Sequence, residues 1–146
     1  MPQRFTLAEA QSLIPMLERL LGEAVSMKAE FEVADGILES IQERVTMMGG
    51  TMVNRDRAID ARGRREVAAV RLRRALEQVQ QTGCVVKDLD IGLVDFPAMR
   101  RGVEVYLCWK LGETAIGFWH GVDEGFTKRK PIGRDFHERS RGAAEQ

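Results

Sequence analysis

No apolar run in this 146-residue chain approaches the roughly 20 residues that a membrane-spanning helix needs. Residues 1–7 also lack the basic-then-apolar layout of a signal peptide. Net charge is missing too. The 22 basic residues balance 22 acidic ones, so the molecule as a whole exerts no pull on nucleic acid or an anionic membrane. Cysteine is scarce, and the pair Cys84 and Cys108 suits reduced thiols in a cytoplasm better than a disulfide framework. Signatures of chemistry are absent as well. There is no CxxC, HxH or HExxH pair for a metal, no GxGxxG or GxxxxGK[ST] loop for phosphates, and no nucleophile motif. These absences leave a soluble, cytoplasmic chain of single-domain size, with any ligand set drawn from different elements.

What is present divides into a helical half and a compact half. Thr6 followed by Glu9 is a capping box, and Phe5 ahead of it a hydrophobic staple. From Leu13 to Met48 eleven apolar residues fall at alternating steps of four and three. That repeat predicts one long helix over residues 7–48, about 60 Å in length, with a coiled-coil seam. Pro15 should kink it, and Gly22 and Gly36 should weaken it by about 1 kcal/mol each. Gly49 and Gly50 end this helix and residues 51–54 connect it to a second, over 55–82, with Gly83 as its C-terminal cap. The second stripe is weaker, carried by Ala58, Ala61, Ala68, Leu72, Ala75, Leu76 and Val79. Gly63 within it marks a soft spot or a place where two backbones approach closely.

The two helices carry opposite charge. Residues 7–48 hold eight acids against Arg19, Lys28 and Arg44, whereas 55–74 hold eight arginines against Asp56, Asp60 and Glu66. Folded into an antiparallel hairpin they complement one another, which sets orientation more than stability. An arginine-rich helix is also what a nucleic-acid reader presents. The balanced net charge and the lack of interleaved aromatics argue against nucleic acid as the partner. A two-helix rod leaves part of its apolar stripe uncovered. A second copy would cover it, so the expected assembly is a homodimer through the long helices.

Residues 83–132 contain both tryptophans, both cysteines and the only tyrosine. Residues 83–88 read as a strand, 88–92 as a turn, and 92–96 as an extended piece halted by Pro97. Over 103–109 the alternation is clean, with Val103, Val105, Leu107 and Trp109 on one face and Glu104, Tyr106, Cys108 and Lys110 on the other. Residues 110–114 form a hairpin loop with its glycine. Residues 115–120 return as the partner strand, with Ile116, Phe118 and His120 on one face. The expected fold is therefore α+β: a long, coiled-coil-like antiparallel helical hairpin (5–82), then a small antiparallel sheet of three or four strands (83–132) laid against one end of it. Together these make one domain over 1–132, followed by a flexible tail over 133–146.

A family resemblance rests on these same residues. It is carried by the run Lys87-Asp88-Leu89-Asp90-Ile91-Gly92-Leu93-Val94-Asp95-Phe96-Pro97 and by Val105-Tyr106-Leu107-Cys108-Trp109 with Gly112-Glu113. Trp119-His120, Gly125-Phe126, the opening Phe5-Thr6-Leu7-Ala8-Glu9-Ala10 and Leu13-Ile14-Pro15 add to it. The chain resembles, nearly throughout to Ile132, an uncharacterised bacterial family, domain of unknown function 2203. The resemblance implies a cytoplasmic bacterial protein built of helices and a sheet, and assigns no catalytic or binding residue. Lys128 departs from it, standing where a small residue is expected before Arg129.

Four places could carry chemistry. Cys84, Cys108, His120 and one of Asp88, Asp90 or Asp95 together offer thiolate, imidazole and carboxylate, a set that suits zinc. Cysteines beside tryptophan on strands are more commonly core filler, and no cofactor is predicted outright. Asp88, Asp90 and Gly92 begin like a calcium loop, but Met99 stands where the bidentate glutamate should be, so an Asx turn is the better account. A three-residue hairpin loop would set Glu104 opposite His120, which either orients a general base or satisfies a half-buried histidine. Finally, the basic loop 125–131 could hold an anion beside the aromatics. A ligand pocket built from Glu104, Trp109, Glu113, Trp119, His120 and Arg129 is the alternative to a non-enzymatic dimeric module.

Overall fold

Thr6 opens the first helix as its spacing predicts. In the computed structural model, which describes residues 3–47, 55–134 and 136, the Glu9 N–H donates to the Thr6 hydroxyl at 3.1 Å. The Thr6 N–H donates in return to Glu9 Oε1 at 2.9 Å. Helix α1 (Leu7–Ser12) stops at Leu13 and α2 (Ile14–Met47) begins at once. The single rod expected from residue 7 is thus two helices. Pro15 falls in the first turn of α2, where a missing N–H leaves no bond unmade, so the chain breaks ahead of the proline rather than bending at it.

Helix α3 (Arg55–Gln81) packs back on α2 as a hairpin. Gly83 follows it with φ of +96°, the left-handed conformation of a helix C-terminal cap. Ala24, Ala34 and Ile41 of α2 are buried, as are Ala58, Ala61, Ala68 and Ala75 of α3. The small α3 side chains explain its weak apolar stripe, since alanine lets two helices approach closely without filling the seam. The opposite charges meet as expected: Arg65 donates to Asp35 at 2.8 Å and Arg71 to Glu23 at 2.8 Å. The expected stop at Gly49 and Gly50 and the link over 51–54 lie outside the described residues. Among the described residues, no helix is long and apolar enough to cross a membrane.

The chain forms two compact units, one of Met1–Gly22 with Glu77–Gln146, the other Glu23–Leu76. The first contains a five-stranded antiparallel sheet in simple sequence order. Its strands are β1 (Val85–Asp88), β2 (Leu93–Arg100), β3 (Val103–Lys110), β4 (Phe118–Gly121) and β5 (Lys130–Pro131).

Strand β2 does not halt at Pro97 but runs through it. Pro97 turns its backbone edge away from β3, and there its carbonyl accepts the Phe5 N–H at 2.7 Å, so no ladder bond is lost. The strand ends instead at a two-residue turn, Arg101 (φ 51°) and Gly102 (φ 76°), whose left-handed conformation joins β2 to β3 tightly.

The clean alternation over β3 is as read. Leu107 and Trp109 join Val94 and Phe96 on one face of the sheet and pack with Phe5, Leu7, Ala10, Ile14 and Leu17 in a single core. Phe136 belongs to that core, 5.8 Å from the Trp119 ring, so the stretch read as a tail supplies one core residue. The rest of residues 137–146 lies outside the described residues.

Candidate functional site

The face of the sheet turned away from this core is where polar chemistry gathers. Register places Asp95 on β2 opposite Cys108 on β3, Cys108 opposite Phe118 on β4, and Tyr106 opposite His120. Asp95 and His120 are therefore separated by a whole strand, yet His120 Nε2 lies 2.9 Å from Asp95 Oδ2. They meet because the residue between them, Cys108, has a small side chain. All three are buried, and a carboxylate oxygen, the thiol sulfur and a ring nitrogen lie within 4.8 Å of one another. Tyr106 tilts against the His120 ring at 5.5 Å, and Lys87 Nζ sits 4.8 Å over Tyr106.

Proton placement follows from geometry. The other imidazole nitrogen, Nδ1, lies 2.8 Å from the Gly121 carbonyl, which can only accept, so Nδ1 carries hydrogen. The contact at Nε2 then holds one proton shared with Asp95. Burial pushes the Asp95 carboxyl above its ordinary range, opposed by His120. Oδ1 of the same carboxylate is buried and accepts no hydrogen bond.

Burial, with the Asp95 charge adding to it, pushes the Cys108 thiol up to about 12. Burial also raises Cys84, whose sulfur bonds the Thr82 hydroxyl at 3.3 Å and the Val79 carbonyl at 3.7 Å. Neither cysteine is a ready nucleophile at neutral pH. In metal-free native protein both should resist iodoacetamide at pH 8 and react at once in denaturant. Rapid labelling of the native protein, read by mass spectrometry, would contradict this.

The sequence-predicted residues divide between separate places. Glu104 does not face His120. It pairs across the ladder with Met99, and its carboxylate lies 3.9 Å from Arg4. The difference is two residues of register. The chain between β3 and β4 is longer than a three-residue loop, Ile116 leaves the strand for the core, and its N–H donates to Gln11 Oε1 at 3.0 Å. Trp109 is fully buried on the core face, its indole donating to the Glu113 carbonyl at 2.9 Å. Trp119 also faces that side, between Arg100 and Lys130, at 4.5 and 4.6 Å.

On the polar face Arg129 forms a bidentate pair with Glu113, at 2.9 and 3.1 Å, and stacks over Phe118 and Phe126. Its charge is already met, as is that of Lys130, paired with Glu124. Two of the three cations of the basic loop are thus already paired with carboxylates.

Of the four metal ligands named from sequence, Cys108 and His120 come together, with Asp95 supplying the carboxylate. Cys84 stays apart at the foot of α3. Asp88 is exposed, and its Oδ1 accepts the Asp90 N–H at 3.0 Å, the Asx turn expected there.

The second candidate surface lies on the unit Glu23–Leu76. Val33 of α2 and Ile59 and Val67 of α3 are 66%, 61% and 56% exposed. They line two adjoining grooves of about 450 and 260 Å³ that share Glu30 and Arg64.

Comparison with known proteins settles one point. The family model described as Uncharacterized conserved protein (DUF2203) matches residues 3–132. The chain belongs to the DUF2203 family. No curated protein and no solved structure matches it. The DUF2203 match spans both the helical hairpin and every strand of the sheet, including the polar cluster, so both surfaces lie within the family's extent.

Proposed function

We propose that this DUF2203 protein is a non-enzymatic interaction module that pairs with a second copy of itself through the helical hairpin. The observation that carries this reading is the apolar face shared by α2 and α3, with Val33, Ile59 and Val67 more than half exposed beside grooves. Three large apolar side chains clustered on a charge-rich hairpin mark a surface meant to be covered.

Charge favours a second copy as the cover. The acidic α2 and arginine-rich α3 are self-complementary under a two-fold axis, which sets each α2 against the partner's α3. Glu30, Asp60, Arg64 and Arg71 rim the larger groove, and because Arg64 pairs with Asp60 and Arg71 with Glu23 inside the chain, charge there orients the approach of a second copy more than it binds it. Gly63 lies in that groove, and a side chain built on it would meet nothing within 4 Å. The close approach its sequence position suggests is not used within one chain, and a partner helix fits it. Arginines engaged by Asp35 and Glu23 speak against a nucleic-acid partner. Two buried free thiols accord with a cytoplasmic setting.

The test is mass in solution. Light scattering of the wild type at micromolar concentration should give twice the 16.4 kDa of one chain. Ile59→Glu and Gly63→Gln should each give monomers of unchanged helicity, since both positions face outward and glutamine is the better helix former by about 1 kcal/mol. A monomeric wild type, or variants that stay dimeric, would end the proposal.

A further inference from the structure

We infer that Asp95, Cys108 and His120 form a binding site for one divalent transition-metal ion of zinc's ligand preference. The three donors converge from three adjacent strands, and all are within 4.8 Å of one another with almost no solvent exposure. A tetrahedral ion with bonds of about 2.0–2.3 Å separates its ligands by roughly 3.5 Å. Modest side-chain adjustment brings the cluster to that spacing.

Three features go beyond what a merely satisfied core histidine requires. First, the Nδ1–H of His120 is held by the Gly121 carbonyl at 2.8 Å, which aims Nε2 into the cluster. Backbone-held Nδ1–H with Nε2 free for the ion is how proteins orient a metal-binding imidazole. Second, Asp95 Oδ1 is buried with no hydrogen bond, a desolvation cost that a histidine partner alone leaves standing. Third, one thiolate, one carboxylate and one neutral imidazole sum to −2, so a divalent ion makes the buried site neutral. The neighbouring Arg129 and Glu113 cancel each other and leave that balance intact. Thiolate beside imidazole selects zinc, cobalt or copper over magnesium or calcium. Three protein ligands leave a fourth position for water.

The experiment uses tag-free, full-length protein stripped with EDTA and titrated with Co²⁺, then with Zn²⁺. One Co²⁺ per chain should bind with an intense thiolate charge-transfer band and the visible bands of a tetrahedral ion, and Zn²⁺ should displace it. Cys108→Ser should abolish the charge-transfer band, whereas Cys84→Ser should leave it unchanged.

Asp95→Asn guards against mere misfolding, because its amide can still donate to His120 Nε2. It should fold yet bind Zn²⁺ more than a hundredfold more weakly, beyond the ~10–100-fold that loss of an outer-shell partner costs. The inference is overturned by a featureless Co²⁺ spectrum, by a band that follows Cys84, or by Asp95→Asn binding as the wild type does.

Discussion

Trp109→Ala should lower the stability of the sheet unit by about 3–5 kcal/mol, the range for truncating a buried aromatic. Total stabilities of about 5–15 kcal/mol are usual for domains, so the loss is a large fraction of the whole. The effect is large because Trp109 does two jobs. Its ring is fully buried on the core face, against the residues that α1 and the start of α2 send to the sheet. Its indole N–H also holds the Glu113 carbonyl, and Glu113 in turn anchors the Lys110 N–H at 2.8 Å and Arg129. Trp109→Phe separates the two. It keeps most of the apolar volume and loses the hydrogen bond, so it should cost less, about 1–3 kcal/mol. Urea unfolding followed by circular dichroism gives both numbers. Equal stability of Trp109→Ala and wild type would show that the core is not where the ring lies.

The second large effect belongs to Asp95, measured in metal-free protein. Asp95→Ala leaves His120 Nε2 buried without a partner and should cost about 1–3 kcal/mol. Asp95→Asn retains a donor and should behave differently with pH. The sign follows from burial, which raises the native carboxyl above its ordinary value of 3.8. Between that value and the raised one the native state holds a proton that the unfolded chain has released. Wild-type stability is then fully present below the ordinary value and declines as pH rises through the raised one. Asp95→Asn has no such proton to lose. Its stability relative to wild type should grow as pH increases from 4, and parallel curves for the two proteins would refute the assignment.

Much of the fold was legible because it is written in local patterns. The capping box at Thr6, the apolar repeat through α2, the charge contrast of the two helices and the alternation of β3 each depend on residues close in sequence. What escaped reading depended on residues far apart or on backbone edges. Pro97 reads as the end of a strand, because nothing near it reveals that its carbonyl accepts the Phe5 N–H. Arg101-Gly102 makes a tight turn that residue type does not announce, because an arginine at positive φ is uncommon. The pairing of His120 needed the length of the β3–β4 connection: two residues of register separate Glu104 from Tyr106, which stands opposite His120, and the carboxylate that meets the imidazole comes from the next strand over, at Asp95. One signal was available. Asp95 sits alone within Leu93-Val94-Asp95-Phe96, and a single carboxylate inside an apolar strand calls for a buried partner.

The unit that carries the sheet is discontinuous, its first twenty-two residues and its remainder divided by Glu23–Leu76. Pairing within the sheet is all between sequence neighbours, but burying Phe5 and Leu17 against Phe96 and Trp109 must wait until the intervening chain has gone out and returned. The entropy of closing such an excursion rises only as the logarithm of its length, about 0.6 kcal/mol for each doubling. Whole turns inserted in or removed from both arms together would therefore barely disturb the sheet, and the polar cluster would stay as it is.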